Sequence, residues 1–176
     1  MAGGLLSDRA ELESVFEDLA AELRRLGLHA DVVMVGGAWL LWYRQRAATR
    51  DVDTARRLTA DLSDAVANVG TRHDLSPDWL NDRAAGFWPT GVSFDTCEVV
   101  FERSGLVVRA PSADVVFVMK LYRSDPQDRE DMVSLWPLCG FTSPDDAARA
   151  FRRSYPHAPE DEHLAGYIAE IADDAM

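Results

Sequence analysis

The sequence predicts an α+β fold with a small mixed sheet, and three observations carry that prediction. Short valine-rich runs alternate with helical periods in the first half of the chain. A strand pair follows near residue 100, and beyond about residue 111 only helical patterns remain. The 176 residues, 47% of them hydrophobic, suffice for a core without disulfide or metal staples. The chain reads as a single domain over 1–176, mixed over about 1–110 and helical over about 111–176.

Leu12, Val15, Phe16, Leu19, Leu23 and Leu26 recur at steps of three and four, predicting a helix over 10–26 with Gly27 as its cap. The valine run 32–35 reads as a buried strand ending in Gly36-Gly37. A helix over 38–47 follows, then a second strand at Asp51-Val52-Asp53. Residues 58–69 read as an amphipathic helix stopped by Gly70, and 73–90, with Pro77, Asn81, Gly86 and Pro89, as irregular. Segments 92–102 and 106–109 resemble strands joined by a turn at Ser104-Gly105. Ser112 is placed to cap a helix running through Lys120 and Tyr122, and another spans 127–135. Ser143-Pro144 opens a helix to about 154, and the last occupies 161–172.

Thirty acidic against 18 basic residues give a formal charge of −12, which opposes broad adhesion to nucleic acid and leaves RNA contact to a local basic patch. No run of 18 apolar residues predicts a membrane span, and the start lacks the pattern of a signal peptide. A cytoplasmic protein is expected. Cys97 and Cys139, 42 residues apart, match neither a zinc pattern nor a disulfide framework and read as half-buried thiols. The histidines at 29, 73, 157 and 163 have no ligand spacing.

Three features carry chemistry. Gly36-Gly37, between a strand and a helix, lets a phosphate approach the backbone closely; a plain tight turn is the alternative. In Asp51-x-Asp53, residues i and i+2 of a strand share a face, so two carboxylates repel unless a cation lies between them. Magnesium bound to nucleotide phosphates suits such a pair; a solvated turn is the competing account. Lys120 is the one lysine beside 17 arginines, which suits a compact point charge held for phosphate, or a chance residue snorkelling from a core helix.

The segment VGGAWLLWYRQRAATRDVD, with Gly36, Gly37, Arg46, Thr49, Asp51 and Asp53, resembles the DNA polymerase beta-like nucleotidyltransferase superfamily. It looks most like the branch of AbiEii-like and MenT-like toxins of toxin–antitoxin systems. Downstream, MKLYRSDPQDREDMVSL supplies Lys120, Arg123, Asp128 and Asp131 at the matching positions. PDWLND, 77–82, resembles a segment of small relatives and suggests no role. The chain departs from the family at Gly37, where a serine is usual.

The resemblance implies a nucleotidyltransferase core whose sheet carries helices on one face and nucleotide on the other. Asp51 and Asp53 would hold Mg²⁺ or Mn²⁺, with Glu98 or Asp95 as a candidate third carboxylate. Gly36, Gly37, Arg46, Thr49 and Asp128 would contact a nucleoside triphosphate such as ATP. Lys120 would neutralise its phosphates, oriented by Asp131 or Asp128, either of which is also a candidate proton acceptor. The implied reaction moves a nucleoside monophosphate to an acceptor. The branch implies the tRNA 3′ end, met by a basic surface from Arg44, Arg46, Arg50, Arg56 and Arg57, and a cognate antitoxin protein as partner. An antibiotic-like small molecule or a protein is the alternative acceptor, and an inactive nucleotide-binding relative the alternative to an enzyme.

Overall fold

In the computed structural model, which describes residues 3–176, the N-terminal stripe folds as α1 (Arg9–Leu26). The Asp8 side chain accepts from Glu11 N at its start, and Gly27 closes it in the left-handed region at φ 68°. The chain divides into two units, residues 3–86 with 97–111, and residues 87–96 with 112–176.

The first unit holds the five-stranded mixed sheet, in the order β3-β2-β1-β5-β4. The strands are β1 (Ala30–Val35), β2 (Val52–Thr54), β3 (Leu80–Asn81), β4 (Glu98–Arg103) and β5 (Leu106–Ala110). β1 is antiparallel to β2 and parallel to β5, β2 is parallel to β3, and β4 is antiparallel to β5. Val32, Met34, Val52, Leu106 and Val108 are buried, and Phe16 of α1 meets Phe101 of β4 at 5.6 Å between ring centroids. Thr54 is fully buried too, its hydroxyl accepting from Val33 N at 2.9 Å and Arg56 N at 3.2 Å. That pairing removes the penalty of a polar group in a core strand.

Several boundaries differ from expectation, each for a local reason. α2 (Gly36–Trp42) starts on the glycines and ends early, because Tyr43 leaves helical geometry and Arg44 adopts φ 61°. A 3₁₀ turn, Ala60–Leu62, precedes α3 (Ser63–Arg72). Gly70 lies inside α3 rather than stopping it, and its lack of a side chain serves packing: an added Cβ would meet Ser76 O at 2.8 Å and Trp79 Cδ1 at 2.9 Å. The segment read as irregular contains β3, whose two residues are too few to show alternation. Phe94–Thr96 is a 3₁₀ turn, so the hairpin begins only at Glu98 and Asp95 is outside any strand.

The second unit contains α4 (Ala113–Arg123), α5 (Asp128–Leu135), α6 (Pro144–Ser154) and α7 (Leu164–Asp174). Ser143 caps α6 by accepting from Asp146 N at 3.2 Å, whereas Ser112 precedes α4 with no capping side-chain bond. Residues 87–96 join this unit rather than the sheet. Phe87 packs edge-on to Tyr122, its carbonyl accepts from Tyr155 Oη at 2.6 Å, and Tyr122 stacks on Tyr155 at 4.0 Å. No helix among the described residues is long and apolar enough to cross a membrane.

Candidate functional site

The site in the first unit is built where β1 ends. Val35 pairs in register with Asp53, and the chain then turns at Gly36 with φ 64°. A Cβ on Gly36 would stand 3.1 Å from Asp53 Oδ2, so the carboxylate lies directly over bare glycine. Both the backbone conformation and this contact exclude a larger residue. At Gly37 an added Cβ would come within 2.7 Å of Arg46 Nη1 and 2.8 Å of Thr49 Oγ1. The space a serine side chain would enter is therefore filled by a guanidinium and a hydroxyl. Thr49 is held there by paired backbone bonds with Leu6, 2.8 and 2.9 Å, while its own hydroxyl donates to Asp51 O at 3.0 Å. Gly36, Gly37, Arg46, Thr49 and Asp53 are thus brought together.

Val52 and Thr54 are fully buried while Asp51 and Asp53 are only partly covered, the alternation of a strand with one wet face. Asp51 stands one residue before β2 rather than within it. Its Oδ2 accepts from Arg83 Nη2 at 3.2 Å, and Arg83 Nε donates to Asn81 Oδ1 at 2.9 Å. Asn81 is the register partner of Asp53 across β2 and β3. Neither Asn81 nor Arg83 stood among the expected site residues; the only sequence signal was PDWLND. Nearby, the Ser76 hydroxyl, then Asp78's own backbone N–H and the Arg83 charge, hold the Asp78 carboxyl below its ordinary range.

No group of three His, Cys, Asp or Glu among the described residues is arranged to hold a metal. Glu98 is on β4, three strands from β2, which at strand spacing is about 14 Å away. Asp95 belongs to the second unit. The Asp53 carboxylate over bare Gly36, with Asp51 two residues before it, fits a magnesium-type ion that takes its remaining ligands from substrate phosphates and water.

In the second unit Lys120 is buried, 6% exposed, and donates to Asp128 Oδ1 and Asp131 Oδ2, each at 2.8 Å. Arg123 completes the cluster with bonds of 2.8 and 2.7 Å to the two oxygens of Asp128. Two cations face two carboxylates, so the Lys120 charge is balanced and two of its three N–H bonds are committed. Of the arginines expected to form a basic surface, Arg44, Arg50 and Arg57 are exposed, and Arg46 is exposed yet reaches Gly37. Arg56 pairs with Asp31 at 3.1 Å, and Arg109 holds the same carboxylate at 3.3 Å.

A family model described as a nucleotidyltransferase of unknown function, DUF6036, matches residues 10–136. That is well over half of the chain, and the chain belongs to this family. The match is to nucleotidyltransferases as a class and not to the toxin branch within them. No curated protein and no solved structure matches the chain.

Proposed function

We propose that this nucleotidyltransferase-family protein moves a nucleoside monophosphate from a nucleoside triphosphate to an acceptor, with Asp51 and Asp53 holding Mg²⁺ or Mn²⁺. The observation behind this reading is the Asp53 carboxylate lying over bare Gly36, with Arg46 and Thr49 filling the space beside Gly37. The acceptor hydroxyl forms the new bond to the α-phosphorus and pyrophosphate leaves; when bound, the cation would offset the negative charge on the triphosphate. Arg46, packed against Gly37, offers a planar guanidinium to a phosphate, and the two glycines carry no Cβ to hold that phosphate away. Thr49 takes the place of the family's serine as the nearby hydroxyl. Asp128 and Asp131 orient the Lys120 ammonium, which is the proposed phosphate-neutralising point charge.

The acceptor we favour is RNA, at the 3′ end of tRNA, with the protein as the toxin of a toxin–antitoxin pair neutralised by a cognate protein. Exposed Arg44, Arg50 and Arg57 flank β2 and support that choice. The formal charge of −12 favours a second reading, in which a small molecule or a protein hydroxyl is the acceptor.

The test is incubation with each labelled nucleoside triphosphate, Mg²⁺, and either purified tRNA or a cell lysate, resolved on gels. Label on tRNA that vanishes with Asp53→Ala and with chelator is expected. Label on protein or on a small molecule moves the acceptor to the second reading. No transfer from any of the four triphosphates overturns the enzymatic reading.

A further inference from the structure

The PDWLND segment is well satisfied except at one atom. Trp79 is fully buried and its indole N–H donates to Val66 O at 2.8 Å, while its carbonyl accepts from Val52 N at 2.6 Å. Leu80 is buried beside Val52, and Asp82 Oδ2 accepts from Leu58 N at 3.1 Å. Asn81 is 9% exposed, and its Oδ1 accepts from both Arg83 N, 3.1 Å, and Arg83 Nε, 2.9 Å. Its Nδ2 is buried without a hydrogen-bond partner. The orientation of the amide is settled by those two donors, because a flipped amide would set its NH₂ against two N–H groups. A buried donor with no acceptor is costly enough that folded proteins seldom keep one without use.

This donor stands in a defined place. Asn81 is in register with Asp53 on the neighbouring parallel strand, so the two side chains share a face of the sheet. Arg83 ties the same face together, reaching Asn81 Oδ1 with Nε and Asp51 Oδ2 with Nη2. Asn81, Asp53 and Asp51 therefore border one another, with glycine backbone on the far side of Asp53.

We propose that Asn81 is a nucleotide-contacting residue whose Nδ2 donates to an oxygen of the bound nucleoside triphosphate. Arg83 is its positioning residue. The inference rests on the nucleotidyltransferase reading of the Asp51–Asp53 face and adds to it a neutral donor beside two carboxylates. Such a donor donates to a substrate oxygen where a third carboxylate would repel it.

The test measures binding of a non-hydrolysable nucleoside triphosphate analogue, and separately of tripolyphosphate, each with Mg²⁺, by titration calorimetry. Asn81→Asp keeps an oxygen for Arg83 and removes the donor; Asn81→Leu removes the donor without adding charge. Both variants are expected to keep a cooperative melt and to lose about tenfold or more in analogue affinity, as for a hydrogen bond to a charged or strongly polar acceptor. Weaker tripolyphosphate binding as well identifies a phosphate oxygen, while loss confined to the analogue identifies a sugar or base oxygen. Wild-type affinity in a folded Asn81→Asp or Asn81→Leu overturns the Asn81 assignment and leaves the proposed reaction standing. A wild-type protein that binds no nucleotide overturns both.

Discussion

At Gly37 the chain has exchanged a side chain for space that two other residues use. An added Cβ would crowd Arg46 Nη1 at 2.7 Å and Thr49 Oγ1 at 2.8 Å. Arg46 can swing aside, but Thr49 is anchored by Leu6 and by its bond to Asp51 O. Gly37→Ser is therefore expected to cost about 1–3 kcal/mol in urea unfolding, as overpacking does. Combining it with Thr49→Ala should recover part of that cost, and strictly additive losses would show that Thr49 is not the obstacle. Asp53→Ala removes a proposed metal ligand, so it should abolish transfer in a variant that still melts cooperatively. A large drop in melting temperature would mark Asp53 as structural. Cys139 makes an independent check on burial. Its thiol is pushed up to about 12, first by burial and then by Asp114, so at pH 8 it stays protonated and unreactive. With Cys97 only 5% exposed, thiol reagents should modify neither cysteine until the protein is denatured. Fast labelling of the native protein would contradict the packing.

Where α4 and α5 meet, the Lys120–Asp128–Asp131–Arg123 cluster is an interaction between elements. Lys120→Ala would leave the Asp128 and Asp131 carboxylates without their ammonium in a site where Asp128 is only 3% exposed. Breaking a buried pair costs about 3–5 kcal/mol when the remaining charge has no partner, and less here because Arg123 still holds Asp128. The expected result is a marked fall in chemical-denaturation stability, so lost activity in Lys120→Ala speaks for catalysis only where the variant is still folded. A fully stable Lys120→Ala would show the cluster to be dispensable to the fold. Elements with local signals were legible beforehand: the apolar stripe and Gly27 for α1, and the Ser143-Pro144 cap for α6. β3 was not, because two residues carry no period and its strand state comes from pairing with β2. The early end of α2 was hidden as well, since an arginine at φ 61° has no sequence signature.

For the molecule as a whole, the charge of −12 must be overcome locally if RNA is the acceptor. Arg44 and Arg50 are exposed, whereas Arg56 is engaged by Asp31. Labelling of tRNA is then expected to fall with salt at a log–log slope of about 0.7 per phosphate contact, and Arg44→Glu or Arg50→Glu should flatten it. Transfer indifferent to salt and to both variants would exclude an RNA acceptor docked through these arginines. The sequence by itself determined the mixed class and the principal helices, because periodicity of 3.6 or 2 is a property of consecutive residues. Only the tertiary structure decided that Arg46 and Thr49 fill the space at Gly37, that Lys120 is ion-paired with Asp128 and Asp131, and that Asn81 keeps an unused donor beside Asp53. Those facts depend on which side chains arrive at a point from separate elements, and no local pattern encodes that.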